Sequence, residues 1–108
     1  GIPMALTLPM LQILLSLVDE DRHGYGILLE IESRTGETRL GTGTLYTALK
    51  RLLGKGLIEE ALDRPVSELD DPRRRYYRLT DAGREAAEHE AARLARVVGM
   101  AREKELLS

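Results

Sequence analysis

The sequence predicts a mainly α fold with a small β-wing (α+β), a winged helix-turn-helix domain carrying a long C-terminal dimerisation helix. Three observations predict it. Helical spacing of apolar residues recurs three times before residue 55. Two strand-like runs, Leu57 to Leu62 and Arg75 to Leu79, then flank a polar, proline-containing loop from Asp63 to Arg74. Finally, a charged stretch from Thr80 onward holds apolar residues at alternating steps of four and three.

The first helix is expected around Met10 to Val18, with Pro9 in its first turn. Only Gln12 and Ser16 interrupt its apolar character, so it expects neighbours on more than one side. Asp19-Glu20-Asp21-Arg22 ends it. A second helix runs from about Gly24 to Thr35 and buries Ile27, Leu28 and Ile31, with Gly36 as its stop. Thr38-Arg39-Leu40 is short enough to form at most a brief strand. The third helix spans about Thr42 to Gly54, with Leu45, Leu49, Leu52 and Leu53 on one stripe. Its other side presents Gly43, Thr44, Thr47, Lys50 and Arg51, with Tyr46 at the border. Lys55-Gly56 closes it. Thr80 then reads as the N-cap of a last helix reaching towards Leu106, with Asp81 at its positive end.

A chain of 108 residues makes one domain with a modest core. With no Phe and no Trp, that core must come from Leu, Ile, Val, Ala and four Tyr. The absence of Cys removes disulfides and thiolate metal sites. No apolar run approaches the roughly 18 residues of a membrane span, and no signal-peptide pattern is present. The expectation is a soluble cytoplasmic protein with no membrane partner. Gly1, Ile2 and Pro3 ahead of Met4 read as a processing remnant within an N-terminal arm of residues 1–8. The winged domain then covers residues 9–79 and the dimerisation helix residues 80–108.

The net charge is -2, but its distribution is uneven. Residues 1–38 carry -4, residues 39–79 carry +3 and residues 80–108 carry -1. No acidic residue lies between Thr42 and Ile58. A helix kept free of carboxylates, followed by the run Arg73-Arg74-Arg75, is a surface that welcomes phosphates. The third helix therefore reads as one that enters the DNA major groove, which is about 12 Å wide and admits a single helix. Small residues at Thr42, Gly43, Thr44 and Thr47 allow close approach, Tyr46 borders them, and Lys50 and Arg51 reach phosphates or guanine edges. Arg74, Arg75 and Arg78 would form the wing's contact with the backbone. Strand alternation puts Arg74, Tyr76 and Arg78 on one face and Arg75, Tyr77 and Leu79 on the other, so some of these arginines must be structural. The plainer reading of both features is a solvated face, with the arginines paired to Asp70 and Asp71.

The last helix is long for so small a domain and needs a partner, because isolated helices owe most of their stability to packing. Ala87, Ala91, Leu94, Val98 and Ala101 form its seam. Leu11, Leu14, Leu15 and Val18 of the first helix are the complement. A homodimer follows, with the last helix of one subunit against the first and last helices of the other. His23 reads as a capping or packing residue and His89 as solvated; neither pattern signals a metal. Gly41-Thr42-Gly43 lacks the further residues of a phosphate-binding loop. No nucleophile with a matching base is visible, so neither an enzyme nor a cofactor is expected.

Four segments in this order resemble the PadR family of bacterial transcriptional regulators: His23-Gly24-Tyr25-Gly26, Gly43 to Leu52, Lys55-Gly56-Leu57-Ile58, and Arg74 to Gly83. Family members usually carry Pro where this chain has Thr47, and the single C-terminal helix resembles the short-tailed subfamily. The resemblance implies a dimeric repressor on a pseudo-palindromic double-stranded DNA operator. It places Thr44, Tyr46 and Lys50 on the recognition helix and Arg74, Arg75 and Arg78 on the wing. It also implies a small aromatic effector as a candidate partner. Residues 80–108 contain no aromatic side chain, however, so no effector-binding residue is assigned. The competing expectation is a winged-helix module that binds protein rather than DNA.

Overall fold

The structure, a computed structural model, describes residues 6–36, 40–62 and 74–108. Helix α1 spans Leu8–Ser16; Thr7 caps it, its hydroxyl accepting a hydrogen bond from the Met10 N–H at 3.3 Å, and Pro9 sits in the first turn. Strand β1 is the short segment Arg22–His23. Helix α2, Gly24–Thr35, ends on Gly36, whose φ of 69° is the left-handed conformation that glycine adopts without a Cβ penalty. Helix α3 covers Thr42–Gly54. Strands β2 (Ile58–Glu60) and β3 (Tyr76–Leu79) follow, and helix α4 runs from Asp81 to Glu103.

The sheet has the order β1-β3-β2, both pairings antiparallel. Tyr77 stands opposite Arg22 on one side and Glu60 on the other. The sequence analysis expected a two-stranded ribbon, with Arg22 ending a helix. The third strand, only two residues long, falls below what periodicity detects. The segment Thr38-Arg39 and the loop from Asp63 to Arg73 lie outside the described residues; Leu40 is buried.

Helix α1 lies at the centre, packed against α2, α3 and α4. Most of its apolar character is therefore satisfied within one chain, although Leu8 and Leu15 stay exposed. Met10, Leu11, Ile13, Leu14 and Leu17 join Ile27, Ile31, Leu45, Leu49, Leu52, Leu57, Ile58 and Tyr77 in one core. Ile13, Leu14, Ile27, Leu45, Leu49 and Leu52 are essentially sealed from water. Truncating any one leucine among them to Ala costs about 2–5 kcal/mol.

Two expectations about burial are corrected. Leu53 was placed on the buried stripe of α3 but is 38% exposed, and Ala48 lies in the core instead. The buried arc is centred one step further round the helix, because α1 and the sheet approach it from that side. Leu11, Leu14 and Ala87, expected at a dimer interface, are consumed by the chain's own core.

The junction of sheet and last helix is tightly made. The Thr80 hydroxyl donates to the Gly56 carbonyl at 2.7 Å and accepts from the Gly83 N–H at 3.0 Å. The Thr80 N–H reaches the Leu57 carbonyl at 3.2 Å. Gly56 takes φ 72°, which turns the chain out of α3 and into β2. A Cβ on Gly83 would stand 1.9 Å from the Leu57 carbonyl oxygen, so α4 approaches β2 at a distance only glycine permits. Further along α4, the buried Glu90 carboxylate accepts from Arg93 Nε at 2.9 Å. That hydrogen bond holds the Glu90 carboxyl below its ordinary range against the opposing effect of burial.

Candidate nucleic-acid interface

Helix α3 is amphipathic because its sequence separates Leu45, Ala48, Leu49 and Leu52 from everything else by helical spacing. The core fixes those four, so the remaining side must face outward. Thr42, Gly43, Thr44, Tyr46, Thr47, Lys50 and Arg51 are all exposed. The residues expected to meet DNA on this helix thus share one free surface. No carboxylate lies in the helix's first turn, and its N-cap, Gly41, offers no side-chain acceptor. The first-turn N–H groups and the positive end of the helix dipole therefore stay available to an anion.

Strand β3 divides the wing arginines. Arg78 is tied down: its Nε and Nη2 reach the Asp21 carboxylate, the latter at 3.0 Å. This fork ties β3 to the turn after α1, so Arg78, expected at the DNA contact, has a partner within the chain. Arg75 is exposed and pairs with Glu60 across the sheet at 3.5 Å, an ion pair weak enough to give way to a phosphate. Arg74 is exposed and extends its Nη1 to 3.2 Å from His23 Nε2. Arg22, also basic, is held by Asp19, Glu20 and Glu30 and donates to the Ser16 carbonyl at 2.7 Å. Its charge is neutralised within the scaffold.

His23 caps α2, its Nδ1 accepting from the Gly26 N–H at 3.1 Å, as its position at a helix start suggested. The ring also meets Tyr76 edge-on, with centroids 5.2 Å apart. Behind it, Tyr77 is only 6% exposed, and burial, aided by Glu60, raises its phenol above the ordinary value so that it stays neutral. His23, Gly24, Tyr25, Tyr46, Arg74 and Arg75 line a cleft of about 350 Å³ between α2, α3 and β3. Sequence reasoning found Tyr46 and the arginines but passed over Tyr25 and the cleft itself. The signal was there in His23-Gly24-Tyr25-Gly26: Gly24 lets the Tyr46 hydroxyl pack against the start of α2, where a Cβ would meet it at 3.3 Å.

Among the seam residues, Leu15 and Val18 are 51% and 41% exposed, and Ala91 and Val98 are exposed on α4. Leu94 is half-buried against the core and Ala101 half-buried beyond it. His89 is exposed. Among the described residues, no group of His, Asp and Glu is arranged to hold a metal ion. None of the described helices is long and apolar enough to cross a membrane.

Three helices with α2 and α3 in succession, backed by a three-stranded antiparallel sheet, define a winged helix-turn-helix protein. Residues 13–89 match the transcriptional regulator PadR-like family, and the chain belongs to that family. It is similar to a PadR family transcription regulator from Clostridium difficile, with 28% identity, 90% of this chain and 97% of that one covered, and a TM-score of 0.75. A PadR-like transcriptional regulator from Bacillus cereus superposes with a TM-score of 0.76 at 25% identity, covering 92% of each chain. An uncharacterized 37.1 kDa protein in a transposon of Streptomyces fradiae is 45% identical over 87 residues, 81% of this chain. The chain spans 23% of that relative's length, and 64% of the length of an uncharacterized protein from Lysinibacillus sphaericus that is 40% identical over 73 residues.

Proposed function

We propose that this protein is a dimeric, DNA-binding transcriptional repressor whose helix α3 reads the major groove. The observation that carries the reading is the outward face of α3. It gathers Thr44, Thr47, Lys50 and Arg51 beside Gly43, with no carboxylate on the helix and every apolar residue but Leu53 and Tyr46 turned inward. Lys50 and Arg51 supply charge-assisted donors, and the small residues let the helix backbone sink between the phosphate rails. Arg74 and Arg75, just ahead of β3, add sequence-independent contact with the backbone. Arg78 contributes only by holding the wing in place.

Dimerisation rests on the exposed remainder of the seam. Leu15 on α1 and Val18 just past its end, with Ala91 and Val98 of the α4 seam and the neighbouring Val97 and Met100, leave apolar surface that one subunit does not cover. A two-fold pairing through these residues would present two copies of α3 to half-sites of a pseudo-palindromic operator. A cytoplasmic location and a role without catalysis follow from this reading.

Anisotropy titration with the gene's own upstream DNA tests it. The expected result is specific binding whose affinity falls steeply with salt, as neutralised phosphates require. No binding at low salt would overturn the proposal and favour a module that engages protein.

A further inference from the structure

Helix α4 outruns the domain it belongs to. Its buried residues, Gly83, Ala87 and Glu90, all lie in its first half, and no residue of the helix beyond Glu90 is buried. Residues 91–103 continue for about 20 Å at a rise of about 1.5 Å per residue. Leu94, Val97, Val98 and Ala101 fall on one stripe of that extension by helical spacing. Leu94 and Ala101 are half-buried, whereas Val97 and Val98 are 49% and 36% exposed. An apolar stripe on a projecting helix needs a surface to lie on.

A surface of matching character lies between α1 and α2. Leu15, Val18 and Ile31 line a groove of about 450 Å³, with Gln12 and Thr35 among its polar residues. The ionised side chains along it are Asp19, Glu30 and Arg34, two carboxylates against one guanidinium, and residues 1–38 as a whole carry -4. Arg34 is committed to Glu30 at 3.0 Å. Residues 91–103 of α4 carry the opposite sign: Arg93, Arg96 and Arg102 stand against Glu103, a net +2. Two such extensions laid against each other would repel, whereas the groove attracts one. Charge therefore favours the groove as the surface that the stripe of a second copy meets.

We infer that the groove between α1 and α2 seats the distal half of α4 from a second copy of this chain. A two-fold axis makes the exchange reciprocal, so each copy's stripe covers the other's groove and the assembly closes at two. The inference rests on the dimer reading above and goes beyond it by bringing in α2, through Ile31 and Thr35. Helix α2 is the first helix of the helix-turn-helix. The seat therefore fixes the spacing of the two α3 helices as well as joining the subunits.

The chain has no cysteine, so introduced disulfides report the seat directly, each requiring Cα atoms within about 7 Å. One preparation carries Gln12→Cys or Thr35→Cys, and the other carries Val97→Cys or Ala101→Cys. The two are mixed, oxidised and separated by size without reductant. The expected product is a covalent dimer joining one chain of each kind, formed with Thr35→Cys as well as with Gln12→Cys. In addition, Leu15→Lys puts a charge under the stripe of the second copy. Leu15 is half-exposed in the single chain, so the variant folds, and its dimer Kd by sedimentation equilibrium should rise at least tenfold. If the parent is dimeric and no mixture bridges across chains, the inference is overturned. Bridging of the Val97→Cys or Ala101→Cys chain with itself alone would place α4 against α4, and overturns it too. A parent that stays monomeric at every concentration overturns the dimer reading itself, a result distinguishable from the other two.

Discussion

Replacing Gly83 with Ala should destabilise the fold although it places a better helix former inside a helix. In an exposed helix interior Gly→Ala gains about 1 kcal/mol. Here the new methyl would lie 1.9 Å from the Leu57 carbonyl oxygen and 2.8 Å from a Leu79 methyl. Relief requires α4 to move off β2 by more than an ångström. Overpacking of this kind typically costs about 1–3 kcal/mol. The shift also breaks the Thr80 N–H bond to Leu57 and the hydroxyl bond to Gly56, each worth about 1 kcal/mol. Set against the propensity gain, a net loss of about 2–4 kcal/mol is expected. For a domain of this size that lowers Tm by roughly 10–25 °C at fixed protein concentration. The assay is thermal unfolding followed by circular dichroism, with Gly54→Ala as a matched control. Gly54 ends α3 with nothing within 4 Å of a built Cβ, so its variant should be neutral or slightly more stable. If Gly83→Ala melts with the parent, the close approach of α4 to the start of β2 is not as described.

Three further outcomes follow from the same structure. Gly43→Leu has open space around it, so it should fold with parental stability yet weaken DNA binding at least tenfold; equal affinity in a titration would mean that α3 does not approach DNA closely there. Asp21→Asn, which weakens the fork to Arg78, should cost about 1–2 kcal/mol in denaturant unfolding with little change in the salt slope of DNA binding; a lowered slope would return Arg78 to the DNA contacts. Because the folded chain lowers the Glu90 carboxyl, its contribution is present above the ordinary carboxylate value of 4.5 and lost as pH falls below it; Glu90→Gln should flatten the acid side of the stability profile, and an unchanged profile would contradict the Arg93 pairing.

How much was legible beforehand depended on the range of the interactions involved. Helices α2 and α3 end where the sequence placed them, because His23, Gly36 and Gly54-Lys55-Gly56 act locally on cap and turn conformation. The outward face of α3 was equally legible, since a leucine stripe with helical spacing fixes the opposite side. Strand β1 was not, being defined only by pairing with Tyr76 and Tyr77 more than fifty residues away. The structural role of Arg78 depended on Asp21 across a similar gap, and alternation alone could say only that some arginines would be structural. Leu11 and Leu14 were misplaced at an interface for a related reason. Apolarity shows that a residue will be buried, not whether its own chain or a second copy covers it.

The most direct test of the account is a hydroxyl-radical footprint of the protein on its own upstream DNA. Two copies of α3 related by a two-fold axis should protect two regions on one face of the duplex, centred about one helical turn apart. Lys50→Ala should remove both together. A single protected region, or a footprint that survives loss of Lys50 unchanged, would contradict the claim that α3 is the reading helix of a two-fold dimer.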